Sequence, residues 1–167
     1  MQVKFLCLVG ALALASCGSE TAKPKAAAAP AKIPAGTYEV TATVKSLVSA
    51  DKTPVPTFAK AGDVIKTTGC VGDDGLPAPE LFATKGDTCR LENPYARSGR
   101  MNLTYNCNRP GKGSVMTMVD GSYTADGFTG TLEGTSSFPG DGDFKLVEEI
   151  VAKKTSDQCT APAAKKA

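Results

Sequence analysis

Six cysteines and no histidine set the chemistry that this sequence can offer. Cys7 lies within an apolar N-terminal stretch and Cys17 just after it, which sets both apart from the other cysteines. An even set of four thiols remains, which is typical of disulfide bonds, with three connectivities open at this point. A zinc site is the alternative, but no cysteine pair has CxxC spacing and no histidine is present as a ligand. The four remaining cysteines are Cys70, Cys89, Cys107 and Cys159.

The carboxylates do not form a recognisable catalytic arrangement. Without histidine or a free thiol, the usual acyl-transfer sites have no base or nucleophile of the common kinds. Many of the acidic residues are turn residues, because Asp74, Asp120, Asp126 and Asp141 each precede a glycine. The sequence therefore predicts no enzyme, no cofactor and no metal site, with an unrecognised hydrolase as the remaining enzymatic alternative.

The charge balance argues against nucleic acid as a partner. The chain has 19 Lys and Arg residues against 17 Asp and Glu residues, a formal net charge of +2. Domains that bind nucleic acid usually carry a strongly basic face. We therefore expect no nucleic-acid interface.

The N-terminus has the pattern of an export signal. Lys4 precedes the apolar run FLCLVGALALA, which is too short to span a bilayer as a helix. The residues that follow, Leu14-Ala15-Ser16-Cys17, resemble the lipobox of bacterial lipoproteins. This resemblance implies acylation at Cys17 and anchoring in a lipid bilayer by two or three acyl chains. Gly18, in place of Asp, implies the periplasmic face of the outer membrane, with the inner membrane and the cell surface as alternatives.

Composition divides the whole chain into four segments. We expect a signal peptide at 1–16, a lipidated cysteine with an Ala/Pro/Lys-rich tether at 17–35, a β-rich domain at 36–159 and a disordered basic tail at 160–167.

Strand patterns dominate the predicted domain. Tyr38, Val40, Ala42 and Val44 alternate with polar residues, as in a half-buried strand. Turn residues recur about every ten positions, which favours an antiparallel meander. The sequence thus predicts an all-β fold whose curved sheet forms a half-barrel or small barrel with two disulfides. Further strands are expected near 57–71 and 143–153.

One hairpin predicts a disulfide pairing. A three-residue turn at Arg97-Ser98-Gly99 places Cys89 opposite Cys107 and Tyr95 opposite Met101. Directly opposed strand residues have β-carbons about 4.5 to 5.5 Å apart, near the separation that a disulfide needs. We therefore predict Cys89–Cys107, which leaves Cys70 to pair with Cys159.

A second hairpin is predicted around a two-residue turn at Asp126-Gly127. Its register sets Tyr123 against Gly130, Leu132 against Gly121 and Val119 against Gly134, so that large residues oppose small ones. The same register opposes Asp120 and Glu133, an unfavourable pair of like charges.

The longest irregular stretch, residues 72–86, is the predicted binding loop, with one helical turn around Pro79 to Phe82. Long loops on rigid sheets are common positions for binding residues. The candidate residues are Asp73, Asp74, Leu76, Glu80 and Phe82.

Short motifs in a fixed order carry a family resemblance. They are PAGTYEV (34–40), TTGCV (67–71), GDTC (86–89), YNC (105–107), MTMVDGSYTADGFTGTLEG (116–134) and SDQC (156–159). Over about residues 34–159 this order and the four-cysteine frame resemble the exported bacterial family catalogued as domain of unknown function 3617. The resemblance implies a disulfide-bonded, β-rich envelope domain and brings no activity with it.

The sequence as a whole predicts a membrane-anchored periplasmic lipoprotein that acts as a non-catalytic binding or structural protein of the envelope. Its expected partners are the bilayer and either an envelope protein or a small apolar ligand. The alternative function is a carrier of a small, lipid-like molecule in a β-barrel cavity.

Overall fold

The computed structural model describes residues 29–54, 58–140 and 142–159, and in these residues seven strands form one antiparallel sheet. The sheet follows the order β2-β1-β7-β6-β5-β4-β3 and curls into a half-barrel, which confirms the all-β prediction. The strands are β1 (Gly36–Ser49), β2 (Val64–Val71), β3 (Thr88–Arg97), β4 (Arg100–Arg109), β5 (Gly113–Tyr123), β6 (Gly127–Ser137) and β7 (Phe144–Ser156).

The concave face of this sheet carries the core. Alternate residues of each strand are apolar and buried, because successive side chains of a strand point to opposite faces. The convex face is mainly polar, with surface ion pairs such as Lys45–Glu149 and Lys66–Glu39. Fully buried side chains of the concave face include Tyr38, Val40, Val44, Leu103, Tyr105, Val119, Phe128 and Ile150.

The edge strands β2 and β3 are joined by the long loop Gly72–Asp87, which contains a 3₁₀ helix at Pro79–Leu81. We name the two ends of the half-barrel from β1, whose first residue lies at the near end and whose last lies at the far end. Val71 pairs with Gly36 at the near end, whereas β3 begins at the far end. The loop must therefore run the length of the sheet, between its two edges.

The β3–β4 hairpin has the predicted disulfide but a different turn. Cys89 lies opposite Cys107 and is bonded to it. The register shifts by one residue between Glu92 and Tyr95, so Tyr95 faces Asn102 rather than Met101. Pro94 has no N–H to donate to a ladder, which explains a bulge at this point. The three-residue turn was wrong, because Ser98 and Gly99 form a two-residue turn, both with positive φ.

The β5–β6 hairpin corrects the predicted register by two residues. The turn residues are Ala125 and Asp126, since the Thr124 N–H donates to the Gly127 carbonyl at 2.8 Å. Val119 therefore faces Leu132, Tyr123 faces Phe128, Thr117 faces Gly134 and Gly121 faces Gly130. The predicted opposition of large and small residues was wrong. The register also separates Asp120 from Glu133, which removes the like-charge pair.

The folded domain begins earlier than the predicted boundary at Gly36. Ile33 is fully buried, the Tyr123 hydroxyl donates to the Ala31 carbonyl, and the Tyr38 hydroxyl donates to the Pro34 carbonyl. The last part of the predicted tether thus packs over the near end of the half-barrel, where Ala29 lies against Gly99. The rest of the tether, the predicted signal peptide, Cys17 and the tail at 160–167 lie outside the described residues.

A second disulfide joins Cys70 of β2 to Cys159, just beyond the end of β7. It ties the segment after β7 to an edge strand across 89 residues of sequence, and the Thr37 hydroxyl donates to the Gln158 carbonyl beside it. In the part of the chain that the structure describes, no helix has the length and apolar character needed to cross a bilayer.

Candidate functional site

The structure divides the predicted binding loop between two environments. Leu76 and Phe82 pack against the hydrophobic core, whereas Asp73, Asp74 and Glu80 are exposed on the outer side of the loop. The loop therefore covers the concave face with apolar side chains and presents carboxylates to solvent. Its five candidate residues do not converge on one binding point.

Phe82 connects the loop to the aromatic side chains of the core. Its ring centroid lies 5.5 Å from that of Tyr105 on β4 and 6.0 Å from that of Phe128 on β6. Phe128 in turn stacks on Tyr38 at 5.6 Å. Aromatic pairs at these separations add to the burial of their surfaces. The aromatic cluster thus attaches the loop to the concave face.

The loop is also held by hydrogen bonds to the strands. The buried Tyr105 hydroxyl donates to the Pro77 carbonyl at 2.7 Å, and the Thr67 hydroxyl donates to the Leu81 carbonyl at 2.8 Å. Burial raises the pKa of Tyr105 well above its ordinary value, and the nearby carboxylates of Glu80 and Asp74 act in the same direction. Tyr105 therefore stays protonated and keeps its hydrogen bond.

Glu148 is a carboxylic acid on the concave face. It lies on β7 between Val44 of β1 and Leu132 of β6, both of which are buried. Only 5% of Glu148 is exposed, and burial raises the pKa of its carboxyl group. Among the described residues it has no hydrogen-bond or ion-pair partner. A buried carboxyl group without a partner is uncommon, because its desolvation is not compensated.

Thr117 is a second polar group on the same face. It lies on β5 between Tyr105 and Gly134, is 5% exposed, and its hydroxyl has no partner among the described residues. In that part of the chain, no fully buried side-chain oxygen or nitrogen is left without a hydrogen bond. The unpaired oxygens of Glu148 and Thr117 must therefore touch solvent.

Gly134 leaves space beside Thr117. It is buried on β6, and it lies opposite Thr117 on one side and opposite Leu146 on the other. A Cβ atom added at Gly134 would meet only Leu146, at 3.6 Å, which is ordinary van der Waals contact. Glu148, Gly134 and Thr117 thus lie on the concave face of three neighbouring strands, and we call these three residues the polar strip.

The polar strip was missed by the sequence analysis. A signal was present, since Phe144, Leu146, Glu148, Ile150 and Ala152 share one strand face, and an acid interrupts an otherwise apolar row. Thr117 alternates with Val115 and Val119 in the same way. Among the described residues, no group of three or more His, Cys, Asp and Glu side chains could hold a metal ion.

Comparison with known proteins identifies a family without an activity. The model of the family described as protein of unknown function (DUF3617) matches residues 31–160. The matched range begins two residues before the buried Ile33 and ends one residue after Cys159, so it includes both disulfides. No curated protein and no solved structure matches the chain.

Proposed function

This chain belongs to the DUF3617 family, and from that premise we propose that it is a lipid-anchored envelope protein whose half-barrel binds a ligand without catalysing a reaction. The observation that carries the binding role is the polar strip, in which buried polar groups touch solvent on an otherwise apolar concave face. Small-molecule sites are typically concave and apolar with a few polar groups that orient the ligand. The concave face, with the polar strip on it, has this composition.

The same residues favour binding over catalysis. Within the polar strip Glu148 is the one ionisable side chain, and Thr117 has no base beside it among the described residues. A side-chain nucleophile is typically activated by a base within hydrogen-bond reach, and the polar strip offers no such pair among the described residues. The described cysteines form disulfides and supply no thiol.

We place the anchor at Cys17, on the strength of the lipobox pattern and the position of the N-terminal segment. Ala29 lies at the near end of the half-barrel, beside Gly99. The twelve residue-to-residue steps from Cys17 to Ala29 can span at most about 40 Å when extended. The near end would then face the periplasmic side of the outer membrane, and the far end would face away from it.

A protein partner is the second candidate, and one observation favours it. The edge strand β2 begins opposite the middle of β1 with two exposed apolar side chains, and two more lie in the second half of β1 and in the segment before β2. Exposed apolar residues at a sheet edge suit docking of another chain. The exposed residues are Val48, Phe58, Val64 and Ile65.

Mass spectrometry of the protein purified from its own envelope tests the proposal. We expect a mature chain that begins at Cys17, carries acyl chains, contains two disulfides and retains a small molecule. Cys17→Ala should release the protein from the membrane fraction and leave both disulfides intact. An unacylated Cys17 would overturn the anchor, and a chain without any retained small molecule would overturn the binding role.

A further inference from the structure

We propose that the polar strip binds the cationic head of a small amphipathic amine, with the Glu148 carboxylate as its counter-charge. This inference deepens the proposed binding function and rests on it. It names the class of ligand from the side chains that the concave face offers.

Glu148 lacks the charge partner that comparable acids of this protein have. The side chain of Asp87 is also buried, and its carboxylate receives two hydrogen bonds of 2.9 Å from Arg109. Glu149, the next residue of β7, is exposed and pairs with Lys45. Glu148 has no cation among the described residues, although an ionised carboxylate in an apolar site is strongly stabilised by one. A cationic ligand would supply the charge partner that Glu148 lacks among the described residues.

The carboxyl group of Glu148 is accessible from solvent. Its oxygens touch solvent, as the hydroxyl of Thr117 does two strands away. Gly134 leaves the surface between them without a side chain. Glu148 and Thr117 are separated by two strand spacings, roughly 10 Å, and are offset along the strands by two residues.

Apolar side chains surround the carboxyl group of Glu148. Val44 and Leu132 flank Glu148 on the neighbouring strands, and Leu146 and Ile150 flank it along β7. An alkyl chain attached to the cation gains free energy by covering such surface. A carboxylate ligand would meet a like charge, and an alcohol would leave the charge of Glu148 unpaired. The site therefore favours an alkylammonium ion over an anion or a neutral alcohol.

NMR titration with three short probes tests this assignment. The protein is the full mature chain with Cys17→Ala, which needs no detergent that would absorb the probes. Hexylammonium, hexan-1-ol and hexanoate share one alkyl chain and differ in the head group. We expect hexylammonium to shift the backbone amide signals of Thr117, Gly134 and Glu148, and to bind at least tenfold more tightly than either other probe.

Two variants test whether binding depends on the charge of Glu148 itself. Glu148→Gln keeps the side-chain shape and removes the charge, so hexylammonium should bind at least tenfold more weakly. Glu149→Gln makes the same change on the convex face and should leave binding unchanged. The amide spectrum of each variant in the absence of probe shows whether its fold is intact.

The outcomes distinguish the inference from the proposed function. Equal binding of hexylammonium and hexan-1-ol at the polar strip, or full binding by Glu148→Gln, would overturn the cationic ligand and leave a binding role in place. If none of the probes shifts amides of the concave face, the amine assignment is wrong. The molecule retained in the mass spectrum of the native protein then decides the binding role by itself.

Discussion

At the scale of single residues, Glu148 sets this half-barrel apart from a purely structural sheet. Its carboxyl group faces Val44 and Leu132 and gains no charge partner within the described residues. Thr117, a neutral group, is the other polar side chain of the polar strip. A protein selected for stability alone would be expected to place an apolar residue here, because burying an unpaired carboxyl group costs free energy. We therefore infer that Glu148 is retained for binding.

The raised pKa of Glu148 predicts how stability changes with pH. The folded state binds this proton more tightly than the unfolded state, whose pKa stays near the ordinary value of 4.5. The contribution of Glu148 is therefore most favourable below pH 4.5 and is lost as pH rises through the raised folded pKa. Glu148→Gln should increase the free energy of unfolding at pH 7 and give no increase at pH 3.5.

Urea unfolding of the wild type and of Glu148→Gln at a series of pH values measures this difference. Glu149→Gln is the control, since its side chain is exposed and paired with Lys45. Subtracting the free energy of unfolding of the wild type from that of the variant, at each pH, removes the contribution of the other acids. One of these is Asp51, whose pKa is lowered by the side-chain and backbone groups of Thr53. A pH-independent difference would mean that Glu148 is not desolvated in the folded state.

At the scale of elements, the sequence predicted strand faces better than strand registers. The β5–β6 register was wrong by two residues, and a shift of two leaves every side chain on its predicted face. The opposition of Asp120 and Glu133 was the physical sign of the error. In the β3–β4 hairpin, the bulge before Tyr95 depends on how Pro94 meets its partner strand. Such local shifts follow from contacts between elements, which periodicity alone does not contain.

The close approach of β5 and β6 explains why their true register was hard to predict. Gly121 lies opposite Gly130, and a Cβ atom at either position would collide with the backbone of the other strand. Paired glycines let the two strands come together and the sheet coil tightly. A rule that opposes large residues to small ones therefore selects the wrong register here.

The two disulfides should contribute unequally to stability. Cys70–Cys159 closes 89 residues of sequence and Cys89–Cys107 closes 18. If the bonds act mainly by restricting the unfolded chain, removing the first should cost about 4–5 kcal/mol and removing the second about 3 kcal/mol. Denaturant unfolding of the two double Cys→Ala variants measures both values. A larger loss from removing Cys89–Cys107 would contradict this ranking.

At the scale of the whole molecule, two irregular segments complete the half-barrel. The loop Gly72–Asp87 covers the concave face with Phe82, and the N-terminal segment covers the near end with Ile33. The sequence predicted the position of the loop and its helical turn, but not that its apolar residues face inward. It assigned Ile33 to the tether, because one apolar residue among Ala, Pro and Lys gives no periodic signal.

The polar strip arises only at this scale. Glu148, Gly134 and Thr117 come from three neighbouring strands, and the register of the folded sheet brings them onto the same part of its concave face. The acid in the apolar row of β7 was visible in the sequence, but its missing partner is a property of the folded molecule. This is why the sequence analysis proposed only the loop as a candidate site, whereas the site that we propose from the folded molecule lies on the concave face of the sheet.

The central claim is that a small molecule binds on the concave face at the polar strip. Native mass spectrometry of the protein from its own envelope tests this most directly. The test variant is Gly134→Val, whose side chain would fill the space beside Thr117. The control is Thr131→Val, which introduces the same side chain on the convex face of β6. The wild type and Thr131→Val should retain the same small molecule, and Gly134→Val, with its disulfides intact, should lose it. Retention of that molecule by Gly134→Val, or its absence from the wild type, would contradict the claim.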